Sequence, residues 1–417
     1  MPGGLLSAAR PLIAWWSISE GVLCDQMSGK EISVAIVGGG ISGLVCAARL
    51  SQLGITNSVV FDTGKHGPGG RCSSRYININ GKLHIFDHAV QFFTVSDQRF
   101  AKIVSFLHNK KAVKLWPSKI VHLKMGKQPE EIKNMQAFIG TRGMQAVPEC
   151  LSSLVRVEGH KWVSSVHWDP LNKKWQVDDR WFDYLVVAHN GKCAAKLMEN
   201  SGAPQIHNLL KVKFGPVLSP QTHIMQLCSL WVLLFALTKK VALSYDGAFV
   251  EHPDVSWIGN NTSKYTENEM ECWTVISTKA FGANHKVPQE FIPPSKEKEV
   301  THLLLNGFAK VTGVDRKMLT PCFTKVQLWG AANPLNVLQG EDCVFQASNN
   351  VGICGDWLVS PSIEGAVVSG LSLAEVICQH VQGERRDIGL KNHLQPSENE
   401  AIGAFPTSKK LFFNPLK

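Results

Sequence analysis

The sequence predicts an α/β protein, with a discontinuous nucleotide-binding domain around a parallel sheet and a second α+β domain built on an antiparallel sheet. Three observations predict it. Residues 34–37, Val-Ala-Ile-Val, run straight into Gly38-Gly39-Gly40-Ile41-Ser42-Gly43 and a helix of small residues. Far along the chain, residues 351–356, Val-Gly-Ile-Cys-Gly-Asp, give a second short strand entering a turn. Between them, residues 247–250, 256–258 and 272–277 alternate apolar and polar positions, the period of an antiparallel sheet.

The run at 34–37 has the β-branched, apolar character of a buried parallel strand. The glycines after it are spaced for a dinucleotide. Gly38 allows the tight turn, Gly40 lets the backbone approach a pyrophosphate, and Gly43 lets the helix lie close to the strand. Ile41 and Ser42 begin that helix, whose free N–H groups and positive dipole end suit phosphate. Residues 59–61 read as the second strand, ending at Asp62, where a carboxylate can accept from both hydroxyls of an adenosine ribose. The same carboxylate disfavours the 2′-phosphate of NADP. Gly67-Pro68-Gly69-Gly70-Arg71 follows. Its glycines permit close approach and its guanidinium suits a phosphate fork, although such a turn also reads as a loop with a surface arginine.

Residues 145–154 read as a helix, and 155–157, 162–168, 175–178 and 184–188 as strands. The most apolar stretch, 224–237, falls short of the roughly 20 residues that span a bilayer. It also carries Gln226 and Ser229, so a buried strand or helix is expected and no transmembrane segment. After Gly355-Asp356, residues 360–366 open a last helix, with Gly365 and Ala366 in its first turn.

These motifs resemble those of the FAD-dependent amine oxidase superfamily. The resemblance implies non-covalent FAD, with Gly70 and Arg71 beside its pyrophosphate and Asp356 on its ribityl chain. It implies that Val163 meets adenine through its main chain. It also places the helix start at Gly365 and Ala366 against the flavin N1 and C2 carbonyl, where a helix N-terminus stabilises negative charge. Glu364 beside that helix start is expected to turn to solvent. Phe86-Asp87-His88-Ala89-Val90-Gln91-Phe92-Phe93-Thr94, Phe138-Ile139-Gly140-Thr141-Arg142-Gly143-Met144 and Gly330-Ala331-Ala332-Asn333-Pro334 extend the likeness over residues 32–382. They narrow it to the renalase-like branch, Ala89 standing where that branch has glycine. Ala188-His189-Asn190-Gly191-Lys192-Cys193 and Val287-Pro288-Gln289-Glu290 look like the plant-type FAD/NAD(P)-binding members.

The motif positions imply a Rossmann-type FAD-binding domain made of residues 32–84, 138–204 and 320–382. The substrate domain would comprise 85–137 and 205–319. Residues 1–31 are expected to be a poorly ordered extension and 383–417 a loosely attached one.

The chain has 417 residues, 44% hydrophobic and 18% charged, enough for two domains with sizeable cores. The net charge of +9 comes from scattered lysine pairs without a basic block, which excludes nucleic acid as an expected partner and leaves a mild preference for anionic substrates. The 11 cysteines are odd in number and irregularly spaced, disfavouring a disulfide framework, a zinc site or a redox dithiol. They favour a reducing intracellular compartment, the cytoplasm first and the chloroplast second. No metal is expected. Residues 1–30 carry one arginine and two acids and do not read as a signal or transit peptide.

No second glycine fingerprint follows the first, so a hydride donor must share the flavin cavity. Hydride transfer requires positioning rather than a protein nucleophile, which accounts for the lack of an obvious acid–base pair. The expected activity is an FAD-dependent oxidase taking a hydride from a donor that the renalase likeness makes dihydronicotinamide-like, with oxygen reduced to hydrogen peroxide. Two alternatives stand beside it: an amine oxidase or desaturase of a lipophilic substrate, and a flavin-bound interaction protein without turnover. Gln91, Trp329 and Asn333 are the expected cavity residues. Trp231, Trp257 and Trp273 read as sheet core, and His189 as a surface histidine.

Overall fold

The computed structural model describes residues 31–189, 191–219, 224–265, 270–390 and 394–396. The N-terminal extension, Asn190 and the Leu411-Phe412-Phe413 end of the tail lie outside the described residues. A six-stranded sheet runs in the order Val344–Gln346, Val351–Ile353, Tyr184–Val187, Ser33–Val37, Asn57–Phe61, Arg156–Glu158. Every neighbouring pair is parallel except the outermost, Val344–Gln346 against Val351–Ile353. This is the expected Rossmann-like α/β core. The central strand buries both faces, as its unbroken apolar sequence requires.

Helix Ile41–Gln52 is wedged between this sheet and helix Ile363–Val381. The two helices approach so closely that a Cβ at Gly370 would collide with the Ser42 carbonyl oxygen, and an Arg49–Glu375 ion pair of 3.1 Å ties their far ends. On that second helix His380 is buried. Arg385 donates to its Nε2 (2.7 Å), so the ring proton sits on Nδ1, facing the Tyr184 hydroxyl oxygen at 2.8 Å. Burial pushes His380 down to about 4, and the fully buried His88 down to about 3.

Both histidines therefore bind protons more readily when unfolded. Stability is expected to be whole above the unfolded value near 6.5 and to fall as pH drops toward 4, by up to about 1.4 kcal/mol per pH unit for each histidine. Urea midpoints at pH 7 and pH 5 measure it; equal midpoints would refute the neutral buried state.

The second sheet is largely antiparallel. It runs Val212–Phe214, Met225–Leu237, Glu271–Ser277, Val255–Asn260, Gly247–Glu251, Ile120–Lys124, Glu130–Glu131, with Phe323–Pro334 also paired to Met225–Leu237. The apolar stretch that read as strand or helix is thus one strand, Met225–Leu237, buried throughout. Trp231, Leu233, Phe235 and Leu237 pack on helix Pro294–Thr312, whereas Leu230, Val232, Leu234 and Ala236 face the main core. With both faces covered, its period-two alternation was invisible in composition. Trp231, Trp257 and Trp273 are core residues of this sheet.

Several boundaries differ from expectation. The strand expected at 162–168 starts only at Val166, because the Asp178 carboxylate accepts from the backbone of Ser164 (2.9 Å) and Ser165 (3.1 Å) and so occupies the donors a ladder would use. Phe323–Pro334 pairs with the antiparallel sheet, so the return to the parallel sheet comes after residue 334 rather than at 320. Phe138–Gly140 pairs with Val113–Leu115 and not with the parallel sheet. The stretch after residue 383 is docked as far as it is described: Ile388 and Phe345 exchange backbone hydrogen bonds (2.8 and 2.9 Å), and Leu394–Pro396 pairs with Asn336–Leu338. No helix among the described residues is long and apolar enough to cross a membrane.

Candidate nucleotide and substrate site

A cavity of about 670 Å³ opens at the carboxyl ends of strands Ser33–Val37, Asn57–Phe61, Tyr184–Val187 and Val351–Ile353. From the first of these the chain steps to Asn57–Phe61 on one side and later to Tyr184–Val187 on the other. That reversal of strand order is where open α/β sheets leave a crevice for ligands. Gly38, Gly40, Ile41, Ser42, Asp62, Gly70, Arg71, Val163, Gly355, Asp356 and Ala366 all line it. Its volume falls within the ~300–1,000 Å³ of small-molecule sites.

The glycines divide by task. Gly38 has φ +118°, a conformation that side chains rarely adopt. A Cβ at Gly43 would strike the Gly38 carbonyl oxygen, so Gly43 serves helix packing and does not line the cavity. Gly365 likewise packs on Ser360 behind the wall. Gly40 is different: it caps the helix at φ −73°, and a Cβ there would meet nothing within 4 Å, projecting into the cavity.

Asp62 lines the cavity while accepting from Gly39 N–H (2.9 Å) and Gly64 N–H (2.8 Å), which fixes the carboxylate at the end of its strand. Arg71 donates to Asp356 (2.5 Å) and to the Ala332 carbonyl (2.8 Å), so the two expected flavin ligands brace each other across the cavity floor. Trp357, next to Asp356, also lines the wall. Its buried indole N–H has no partner among the described residues. An open glycine turn, an orphaned donor, paired Arg71 and Asp356 and a carboxylate ending the second strand together fit a dinucleotide such as FAD.

Other residues moved. His189 does not sit on the surface; it lines the cavity beside the glycine turn, and burial pushes its pKa down to about 4, leaving a neutral imidazole there. Glu364 does not face solvent. Its carboxylate accepts from Ser96 N–H (2.6 Å), Asp97 N–H (2.8 Å) and the Ser96 hydroxyl, at the start of helix Gln98–Asn109, where the dipole favours an anion.

Of the three expected cavity residues, Trp329 alone lines it. Its indole donates to the His88 carbonyl (3.0 Å) and lies 5.3 Å from the His88 ring at an interplanar angle of 12°. Gln91 is buried behind the wall, its amide held by the carbonyls of Asp87 (2.8 Å) and Ala89 (3.2 Å). Asn333 is buried opposite Cys228 in the sheet ladder.

Behind this wall Asp87 ties four segments together. It accepts from Ser74 Oγ (2.8 Å), Met144 N–H (3.0 Å), Lys264 Nζ (3.1 Å) and the Tyr265 hydroxyl (2.5 Å). Lys264 also donates to the Gln91 carbonyl (2.8 Å). Sequence reasoning missed Lys264, Trp357 and Lys196, and it quoted Gln289 only within a family motif, not as a cavity residue. For Trp357 a signal existed in its position directly after Gly355-Asp356; for the rest only distant folding brings them in.

Comparison with known proteins agrees with this architecture. The model of an NAD(P)-binding Rossmann-like domain matches residues 36–107. Among solved structures, the chain is similar to a protein assigned as a protoporphyrinogen oxidase from Exiguobacterium sp. 255-15, at 10% identity and TM-score 0.61, covering 84% of this chain and 99% of that one. It is similar to cyclohexylamine oxidase from Brevibacterium oxydans IH-35A, at 11% identity and TM-score 0.58, covering 85% and 100%. A third is putrescine oxidase with putrescine bound, at 12% identity and TM-score 0.53, covering 83% and 98%. At these identities the likeness is one of fold.

Proposed function

We propose that this chain is an FAD-dependent oxidoreductase of the renalase-like kind, taking a hydride from a dihydronicotinamide-like donor with oxygen as final acceptor. The observation that carries the reading is that the glycine turn, Asp62, Arg71, Asp356 and Trp329 line one continuous cavity. Non-covalent FAD bound there would supply the hydride acceptor. In this reading Gly38, Gly40, Ile41 and Ser42 cradle its pyrophosphate with Gly70 and Arg71, while Gly43 seats the helix. Asp62 takes the ribose and the Val163 main chain the adenine. Gly355 and Asp356 hold the ribityl chain, and Gly365 and Ala366 present the start of the last helix. The parallel-sheet segments form the cofactor domain and the antiparallel sheet the substrate domain.

Trp329 is the positioning residue. Fixed by its bond to the His88 carbonyl and by the ring behind it, it offers a rigid aromatic wall for a planar donor. Trp329→Ala is expected to slow anaerobic flavin reduction by about an order of magnitude, since a small misplacement weakens transfer steeply. FAD affinity and reoxidation should hold. A destabilised variant that reduces its flavin at the normal rate would retire the assignment.

The similarity to putrescine and cyclohexylamine oxidases supports a second reading, oxidation of an amine. The cavity wall sets Asp62 and Asp356 beside Arg71, Lys161 and Lys196, with Arg71 and Lys161 already in ion pairs, so its charge does not separate the two readings. Anaerobic mixing decides: bleaching by dihydronicotinamide isomers supports the first reading and bleaching by amines the second. Bleaching by neither would leave a flavin-bound protein without turnover.

A further inference from the structure

The cavity has an unusual rim. Helix Lys192–Met198 begins at Gly191, whose Cβ position lies 3.7 Å from Ala331 in the cavity wall, and it contributes Cys193 and Lys196 to the lining. Gln289 accepts from Gly330 N–H (2.8 Å), beside Ala331, and also lines the cavity. Chain neighbours of these lining residues meet on Phe214: Lys286 Nζ lies 4.0 Å from its ring centroid and Lys192 Nζ 5.6 Å. Among the described residues neither lysine is in an ion pair. Elsewhere the chain pairs such groups with carboxylates, as in Lys124–Glu251, Lys161–Asp178, Lys174–Asp183 and Lys296–Glu299.

Two cations over one ring repel each other, and Lys286 is pushed below its usual range by burial and by Lys192. Cation–π attraction to a phenyl ring offsets only part of that repulsion. A dianionic group set between them would remove it. From the geometry we infer that Lys192, Lys286 and the Phe214 ring form a subsite for a phosphomonoester carried by the substrate. This rests on the reading of the cavity as a donor site. The subsite would hold the phosphate end of a nicotinamide mononucleotide-type donor at the rim, with its ring extended toward Trp329. It predicts a preference for phosphorylated over dephosphorylated donors.

Calorimetry on the FAD-loaded protein tests it with two unreactive probes, oxidised nicotinamide mononucleotide and its dephosphorylated riboside. The mononucleotide should bind at least about tenfold more tightly, the worth of one charge-assisted contact, and the difference should shrink with added salt. In the double variant Lys192→Gln with Lys286→Gln the preference should vanish while the riboside affinity, melting temperature and FAD dissociation constant stay as in the parent. Equal affinities in the parent, or a preference that survives in the double variant, would overturn the subsite. So would a double variant that loses FAD, because the lysines would then serve the cofactor's own phosphates. If the mononucleotide binds with the lysine-dependent preference while dihydronicotinamide donors leave the flavin coloured, the subsite stands and the donor reading falls.

Discussion

Gly40→Val is expected to give a folded protein that no longer retains flavin. At φ −73° and ψ 177° the residue already has a backbone that valine tolerates, and a Cβ would touch nothing in the protein. The branched side chain would stand in the cavity where a pyrophosphate has to lie, and no rotamer withdraws it. Helix capping by valine instead of glycine costs only about 1 kcal/mol. FAD affinity should fall at least about a hundredfold, near 3 kcal/mol. Flavin released by heat per mole of protein, measured beside the melting temperature, checks both halves. Gly43 provides the contrast, since a Cβ there meets the Gly38 carbonyl oxygen and should damage the fold itself. Yellow Gly40→Val protein with full flavin would remove the glycine turn from the phosphate site.

Lys264→Met is expected to be the most destabilising single change in the substrate-side core. The lysine is entirely buried, and burial lowers its pKa while Asp87 acts to raise it. Removing it leaves the Asp87 carboxylate buried with three hydrogen bonds and no cation, which typically costs about 3–5 kcal/mol. Methionine preserves the volume, so the loss reports charge rather than cavity. Adding Asp87→Asn should recover part of it, as coupled partners do. Urea unfolding of the two singles and the double measures the coupling. Because Asp87 anchors the segment that brings Val90 to the cavity, the single variant should also slow flavin reduction. A Lys264→Met protein as stable as its parent would mean that this pair does not hold the wall.

What the sequence determined by itself was the glycine-turn end of the cavity. A tight turn at positive φ, a backbone that must come close to phosphate and a carboxylate at a strand end are local demands. They leave local signatures at Gly38, Gly40 and Asp62, and the same holds for Gly355-Asp356. Strand existence was legible for the same reason, although 162–168 was misjudged because a side chain 14 residues away, Asp178, took its donors.

The substrate end was decided by tertiary structure. Met225–Leu237 could not be told from a helix because both its faces are covered, and only the packed sheets separate its odd from its even positions. Gln91 and Asn333 read as cavity residues yet lie behind the wall. His189 read as exposed and forms part of it. Glu364 was expected in solvent but accepts from the backbone just ahead of a helix 268 residues earlier in the chain, and Lys264 meets Asp87 across 177 residues. Each of these is a polar group whose placement depends on which distant partner satisfies it. Burial leaves such a group no alternative to pairing, and the pairing exists only once the sheets and helices have met.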